Sequence, residues 1–252
     1  MNKKESKKEN IFGVLRDDIF TDREEVLNYF WELIEVYIPR YVMANTVLIA
    51  HRRQGKTELF HRLYNKAFWE QDKVVPIYYT FEEANFETLN FAENYIKNFM
   101  QQCIGFKEKD TGYLKKIVNY EEVLRYSEEK NNYGLNTLVK KFMGEKSEYW
   151  FLKSAIQGPR QVAEDNEERI LVMLDEFHNV KRIRNKDGTG VESWICPHFI
   201  TGSAVTMMLK EIVGSGSLYN GGIKTYRWRT FGKEISKRVW SKYWGRNWYD
   251  LK

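Results

Sequence analysis

The sequence predicts a three-layer α/β fold around a central, mostly parallel sheet, and three observations carry that expectation. An apolar run, Val47-Leu48-Ile49, flows into a turn and then a helix-like segment. A second run, Ile170-Leu171-Val172-Met173-Leu174, ends abruptly in Asp175 and Glu176. A third, His198-Phe199-Ile200, ends in Thr201-Gly202-Ser203. Short apolar runs bounded by polar turns are the pattern of parallel strands buried on both faces. Each run delivers polar residues at its C-terminal end, the edge where open α/β sheets bind ligands.

The elements follow in order. Lys3, Lys4, Lys7 and Lys8 mark residues 1–18 as a solvated, disordered basic tail. After Phe20, Thr21 or Asp22 can cap a helix whose first turn holds Glu24 and Glu25. Val26, Leu27, Phe30, Trp31, Ile34 and Ile38 then recur at helical spacing, and Pro39 marks the stop. The strand Val47–Ile49 is followed by the helix-like Glu58 to Tyr64, and Val74 to Phe81 reads as the next strand, with Glu82 and Glu83 at its end.

From about 87 to 160 the pattern is mostly helical and rich in Lys, Glu and Tyr, an insertion ahead of the strand that ends in Asp175. Gln157-Gly158-Pro159 is expected to break it, and Glu164 to Glu168 to form an acidic approach to that strand. Asn185 to Gly190 is a turn-rich loop. Gly214 to Ser217 and Asn220 to Gly222 punctuate the chain before a final strand within Ile223 to Phe231. The expected organisation is a tail over 1–18, a core domain over 19–231 and a basic-aromatic segment over 232–252.

The chemistry concentrates in Ala50-His51-Arg52-Arg53-Gln54-Gly55-Lys56-Thr57, a phosphate-binding loop in every position except its opening glycine. Such a loop aims backbone N–H groups at phosphates, its lysine reaches the terminal ones, and its threonine hydroxyl ligates Mg²⁺. The following helix adds its positive end. Arg52, Arg53, Gln54, Gly55, Lys56, Thr57 and Glu58 are therefore the candidate nucleotide-binding residues, and alanine at position 50 fits where its backbone angles stay ordinary. Asp175 would hold the metal with Thr57, and Glu176 would orient and deprotonate an attacking water. Thr201 or Ser203 would probe a phosphate or that water. The plainer alternatives are a strand-turn-helix that happens to carry a lysine, and a strand that ends in a solvated acidic turn. The coincidence of three such strand ends carries more than any one motif.

Composition narrows the class. The 252 residues, 42% hydrophobic and 30% charged, describe a globular chain with enough length for a full core. No apolar run reaches membrane-spanning length, and no apolar segment follows the N-terminal lysines, so neither a membrane span nor a standard secretion signal is expected. Cys103 and Cys196 read as reduced thiols, and the cytoplasm follows as the expected location. Cys196 and His198 have no second pair, so a structural zinc is not expected. His51 and His61 read as ordinary histidines, whereas His178, two residues past Glu176, could contact a γ-phosphate.

The net charge of +5 is mild, but Lys224, Arg227, Arg229, Lys233, Lys237, Arg238, Lys242 and Arg246 interleave with Tyr226, Trp228, Phe231, Trp240, Tyr243, Trp244 and Trp248. Rings that stack bases and cations that pair with phosphates would suit nucleic acid, while an amphipathic segment packing its rings on the domain is the blander reading.

Phe20-Thr21-Asp22-Arg23-Glu24-Glu25, the loop to Thr57, Leu174-Asp175-Glu176-Phe177 and Ile200-Thr201-Gly202-Ser203 together resemble the ATPase core of the AAA+/STAND group of P-loop proteins, in particular the prokaryotic "archaeal ATPase" type. The resemblance covers about Ile19 to Phe231. It implies a P-loop NTPase core with strand order 5-1-4-3-2, ATP and Mg²⁺ as ligands, and a nucleotide-driven switch with ring, filament or partner assembly. It implies Lys56 and Thr57 on phosphate and metal, Asp175 on metal, Glu176 as base and Thr201 or Ser203 as sensor. Ser217 to Gly222 resembles the family's Leu-Tyr-Gly-Arg segment without its arginine, and Arg227 and Arg229 are the nearest substitutes. The family's usual complete lid and winged-helix domains are not expected here.

Two other readings stay open. The Ala-x-x-x-x-Gly-Lys-Thr and Asp-Glu-x-His patterns, with Ser203-Ala204, also match a helicase-like core, although too little chain follows to build a second core domain. A non-hydrolysing interaction or nucleic-acid module with a degenerate loop is the reading from a different class. Adenine over guanine rests on the resemblance together with the lack of an Asn-Lys-x-Asp motif.

Overall fold

Five short segments form one sheet in the computed structural model, which describes residues 9–17, 20, 23–42, 44–81, 88–116, 118–145, 147–177, 196–203, 208 and 224–227. The strands are β1 (Thr46–Ile49), β2 (Val74–Thr80), β3 (Arg169–Asp175), β4 (His198–Gly202) and β5 (Lys224–Arg227). All neighbours pair in parallel, in the order β2-β3-β4-β1-β5, which traversed from the β5 edge is 5-1-4-3-2. Every residue of β1, β3 and β4 is buried, as expected of strands covered on both faces.

The covering helices are α1 (Glu24–Glu32), α2 (Lys56–Glu70), α3 (Thr88–Glu108), α4 (Gly112–Lys115), α5 (Tyr120–Glu129), α6 (Tyr133–Gly144) and α7 (Glu148–Asp165). Phe30 of α1 meets Phe199 of β4 with ring centroids 4.9 Å apart and Phe60 of α2 at 6.3 Å, so α1 and α2 form one layer. Tyr78 of β2 meets His61 of α2, and its neighbour Tyr79, on the opposite face of the strand, meets Phe91 and Tyr95 of α3. Helix α7 packs on α3 in that second layer, and α6 packs on α7 and α5. The fold is thus α/β with three layers.

Several sequence expectations are corrected. Pro159 does not break the helical insertion but lies inside α7, which runs on to Asp165. At Gly158, beside it, an added Cβ would sit 2.8 Å from Ile96 of α3 and 3.2 Å from Leu138 of α6. The close approach of three helices holds the turn in place and offsets the missing N–H of the proline. The N-cap of helix α1 is Arg23, which makes no side-chain cap bond, while Thr21 and Asp22 lie outside the described residues. The helix leads through a wider π turn at Leu33–Tyr37 and a 3₁₀ turn at Ile38–Arg40, which keep Leu33, Ile34 and Ile38 buried.

The expected solvated tail is corrected for Glu9 to Asp17, which dock along α2. Asn65 of α2 accepts from the Phe12 N–H at 3.0 Å and donates to the Phe12 carbonyl at 2.9 Å. Trp69 Nε1 donates to the Glu9 carbonyl at 2.9 Å, and Arg62 holds the Leu15 carbonyl and Asp17. The Phe12 ring stacks on His61.

The outer edge of β2 is closed by side chains. The Gln71 carboxamide bonds both the N–H and the C=O of Val74, and Gln102 of α3 does the same for Tyr78. Between them Pro76 has no N–H to offer.

Candidate functional site

All five strands point the same way, so their C-terminal ends share one edge of the sheet, and the candidate residues collect there. Strand β1 ends at Ile49 and the chain turns through residues 50–55 into α2. The turn uses two left-handed positions, Arg53 at φ 61° and Gly55 at φ 83°, while Ala50 is outside the left-handed region. Gln54 Oε1 accepts from the His51 N–H at 2.9 Å, bracing the loop across its own bend. Gly55 is the N-cap of α2 and supplies no side chain, which leaves the first-turn N–H groups of Lys56, Thr57 and Glu58 without an intrahelical acceptor. With the helix dipole, such groups favour an anion.

Lys56 is buried and folds back over the loop. Its Nζ donates to the carbonyls of His51 at 3.0 Å and Ala50 at 3.3 Å. Burial lowers its pKa from the ordinary lysine value, and the charges of Glu176 and Asp175 oppose that shift.

Asp175 closes β3 and is fully buried. Its Oδ2 accepts from the Thr57 hydroxyl at 2.6 Å and the Tyr78 hydroxyl at 3.1 Å, and its Oδ1 accepts from the Glu176 N–H at 2.8 Å. Three donors thus fix the orientation of one buried carboxylate. Thr57 and Asp175 together offer two oxygen donors suited to a hard divalent cation. Among the described residues no group of three or more His, Cys, Asp or Glu could hold a metal. A cation here would complete its shell from waters or a bound phosphate, the habit of Mg²⁺.

Glu176 follows at φ 50°, a left-handed angle that costs a non-glycine residue about 1–2 kcal/mol. The bond from its own N–H to Asp175 holds that turn. Thr201 of β4 lies level with Leu48 of β1 and one residue beyond the Leu174 and Ile200 pair, between the loop strand and the acidic strand. It is fully buried, and its Oγ1 has no hydrogen-bond partner among the described residues. Ser203, just past β4, accepts from Arg52 Nε at 3.5 Å, which ties the loop to this strand end.

The structure therefore brings Arg52, Gln54, Gly55, Lys56, Thr57, Asp175, Glu176 and Thr201 to one edge. Arg53 is exposed on the loop. Glu58 differs from expectation in its side chain, which binds Arg62 at 2.7 Å and the Leu15 N–H at 3.0 Å and leaves only its backbone for a ligand. His178, Arg229 and the basic-aromatic segment 232–252 lie outside the described residues, as does the side chain of Arg227. Tyr78 is the site residue that motif reading missed. Only the register of β2 against β3 puts it on the Asp175 face.

No protein-family model, curated protein or solved structure matches this chain. No described helix is long and apolar enough to cross a membrane.

Proposed function

We propose that the protein binds ATP with Mg²⁺ and hydrolyses it slowly, using the cycle as a conformational switch on a P-loop NTPase core. The observation that carries this reading is the 2.6 Å bond from Thr57 to Asp175, which joins the hydroxyl of the loop to the carboxylate of a strand two positions away in the sheet. A strand-turn-helix with a chance lysine has no reason to place that hydroxyl there.

In this reading the N–H groups of residues 52–58 cradle the phosphates, and Lys56 leaves the loop carbonyls for the terminal ones. Thr57 and Asp175 hold Mg²⁺, which supplies a Lewis acid on the phosphate oxygens. Glu176 orients water and takes its proton, and Thr201 directs its buried hydroxyl to the same edge as sensor. Positioning and charge stabilisation dominate phosphoryl transfer, so turnover stays low until an arginine is supplied by a protein partner or another copy.

Titration of labelled ATP against the wild type and Lys56→Ala in Mg²⁺, with phosphate release followed in the same samples, tests the proposal. Binding by the wild type that the variant loses, with slow release, supports it. A folded wild type that binds no ATP overturns it and leaves the interaction-module reading.

A further inference from the structure

Tyr78 sits on β2 with its ring buried beneath the site. Its hydroxyl bonds the same oxygen of Asp175 that receives Thr57. The phenol O–H donates to that carboxylate oxygen at 3.1 Å. The ring is fixed by Phe12 and His61, edge-on at 4.8 and 5.2 Å between centroids, and its backbone by Gln102.

These contacts matter when a cation is held at Thr57 and Asp175. A hydroxyl that ligates a cation offers it a lone pair, so on loading the Thr57 hydroxyl has the cation to serve as well as Asp175. The Tyr78 hydroxyl reaches Asp175 from β2 and is not asked to ligate the cation. A ligating carboxylate held by such an outer partner keeps its orientation, and loss of that partner typically weakens metal affinity about 10–100-fold.

We propose that Tyr78 is a positioning residue for the cation site, holding Asp175 in its ligating orientation from β2. This rests on the Mg²⁺-nucleotide reading above.

The test is equilibrium dialysis of labelled ATP against wild type, Tyr78→Phe and Tyr79→Phe, each in EDTA and in saturating Mg²⁺. Tyr78→Phe keeps the ring that packs on Phe12 and His61, and Tyr79→Phe removes a hydroxyl from the opposite face. The expected result is equal ATP affinity in EDTA for all three proteins. The tightening caused by Mg²⁺ falls about tenfold in Tyr78→Phe alone. An undiminished Mg²⁺ effect in Tyr78→Phe overturns the inference while leaving the nucleotide site intact. So does an equal loss with and without metal, or the same loss in Tyr79→Phe. A wild type that binds no ATP, or binds it equally well in EDTA, removes the inference together with the reading beneath it.

Discussion

Thr57 and Asp175 are 118 residues apart in the chain, and the hydroxyl of the first donates a 2.6 Å hydrogen bond to the carboxylate of the second. This bond joins the start of α2 to the end of β3, and Asp175 is wholly removed from solvent.

Asp175→Ala strands the buried Tyr78 hydroxyl and the Glu176 N–H along with Thr57. The free energy of unfolding should fall by about 1–3 kcal/mol, the usual cost of leaving buried donors unpaired. Asp175→Asn retains one acceptor oxygen and should lose less. Urea unfolding monitored by tryptophan fluorescence measures both, and an alanine variant as stable as wild type would show that the bonds carry no net energy.

Glu176 separates stability from chemistry. Glu176→Gln should bind ATP as wild type does and release no phosphate. Glu176→Gly should also be inactive yet more stable by about 1 kcal/mol, because glycine takes the left-handed angle without strain. Turnover by Glu176→Gln at the wild-type rate would refute the role of base, and destabilisation by Glu176→Gly would refute the strain.

The two small residues of the loop should behave in opposite ways. Ala50 is buried at an ordinary backbone angle, so Ala50→Gly should leave ATP affinity intact and cost about 0.5–1 kcal/mol of stability. Gly55 at φ 83° has open space where a Cβ would stand, so Gly55→Ala is strained by the backbone alone, by about 1–2 kcal/mol. Gly55→Ala should lose ATP binding with it. Tighter binding by Ala50→Gly would mean that alanine at the head of the loop impairs it.

His198 makes the fold sensitive to acid. Burial lowers its pKa from the ordinary 6.5 to about 4, so between those values the unfolded chain takes up a proton that the folded protein refuses. Its stabilising contribution is complete above pH 6.5 and is lost as pH falls toward 4, by roughly 3 kcal/mol in all. Unfolding free energies across that range should fall less steeply for His198→Gln than for wild type, and parallel profiles would contradict the shift.

The parts of this site that were legible in the sequence are those written locally. The loop from Ala50 to Thr57 is continuous in the chain, and β3 announces itself by five apolar residues followed by two acids. Tyr78 was not legible, because its bond to Asp175 spans 97 residues and an aromatic in a strand ordinarily means packing. The docking of Phe12 on Asn65 was hidden for the same reason, behind lysines that read as a solvated start. Pro159 misled in the opposite direction, since a local helix breaker was overruled by helices packed around Gly158.

The closed flank of β2 bears on how copies of this chain can meet. A sixth strand arriving there would find the hydrogen-bonding slots of Val74 and Tyr78 filled by two glutamine carboxamides, and at Pro76 no donor. The usual hazard of a bare sheet margin, templated growth into a continuous ribbon, is removed on this side. At those positions a neighbouring molecule would meet side chains where a bare strand would offer backbone.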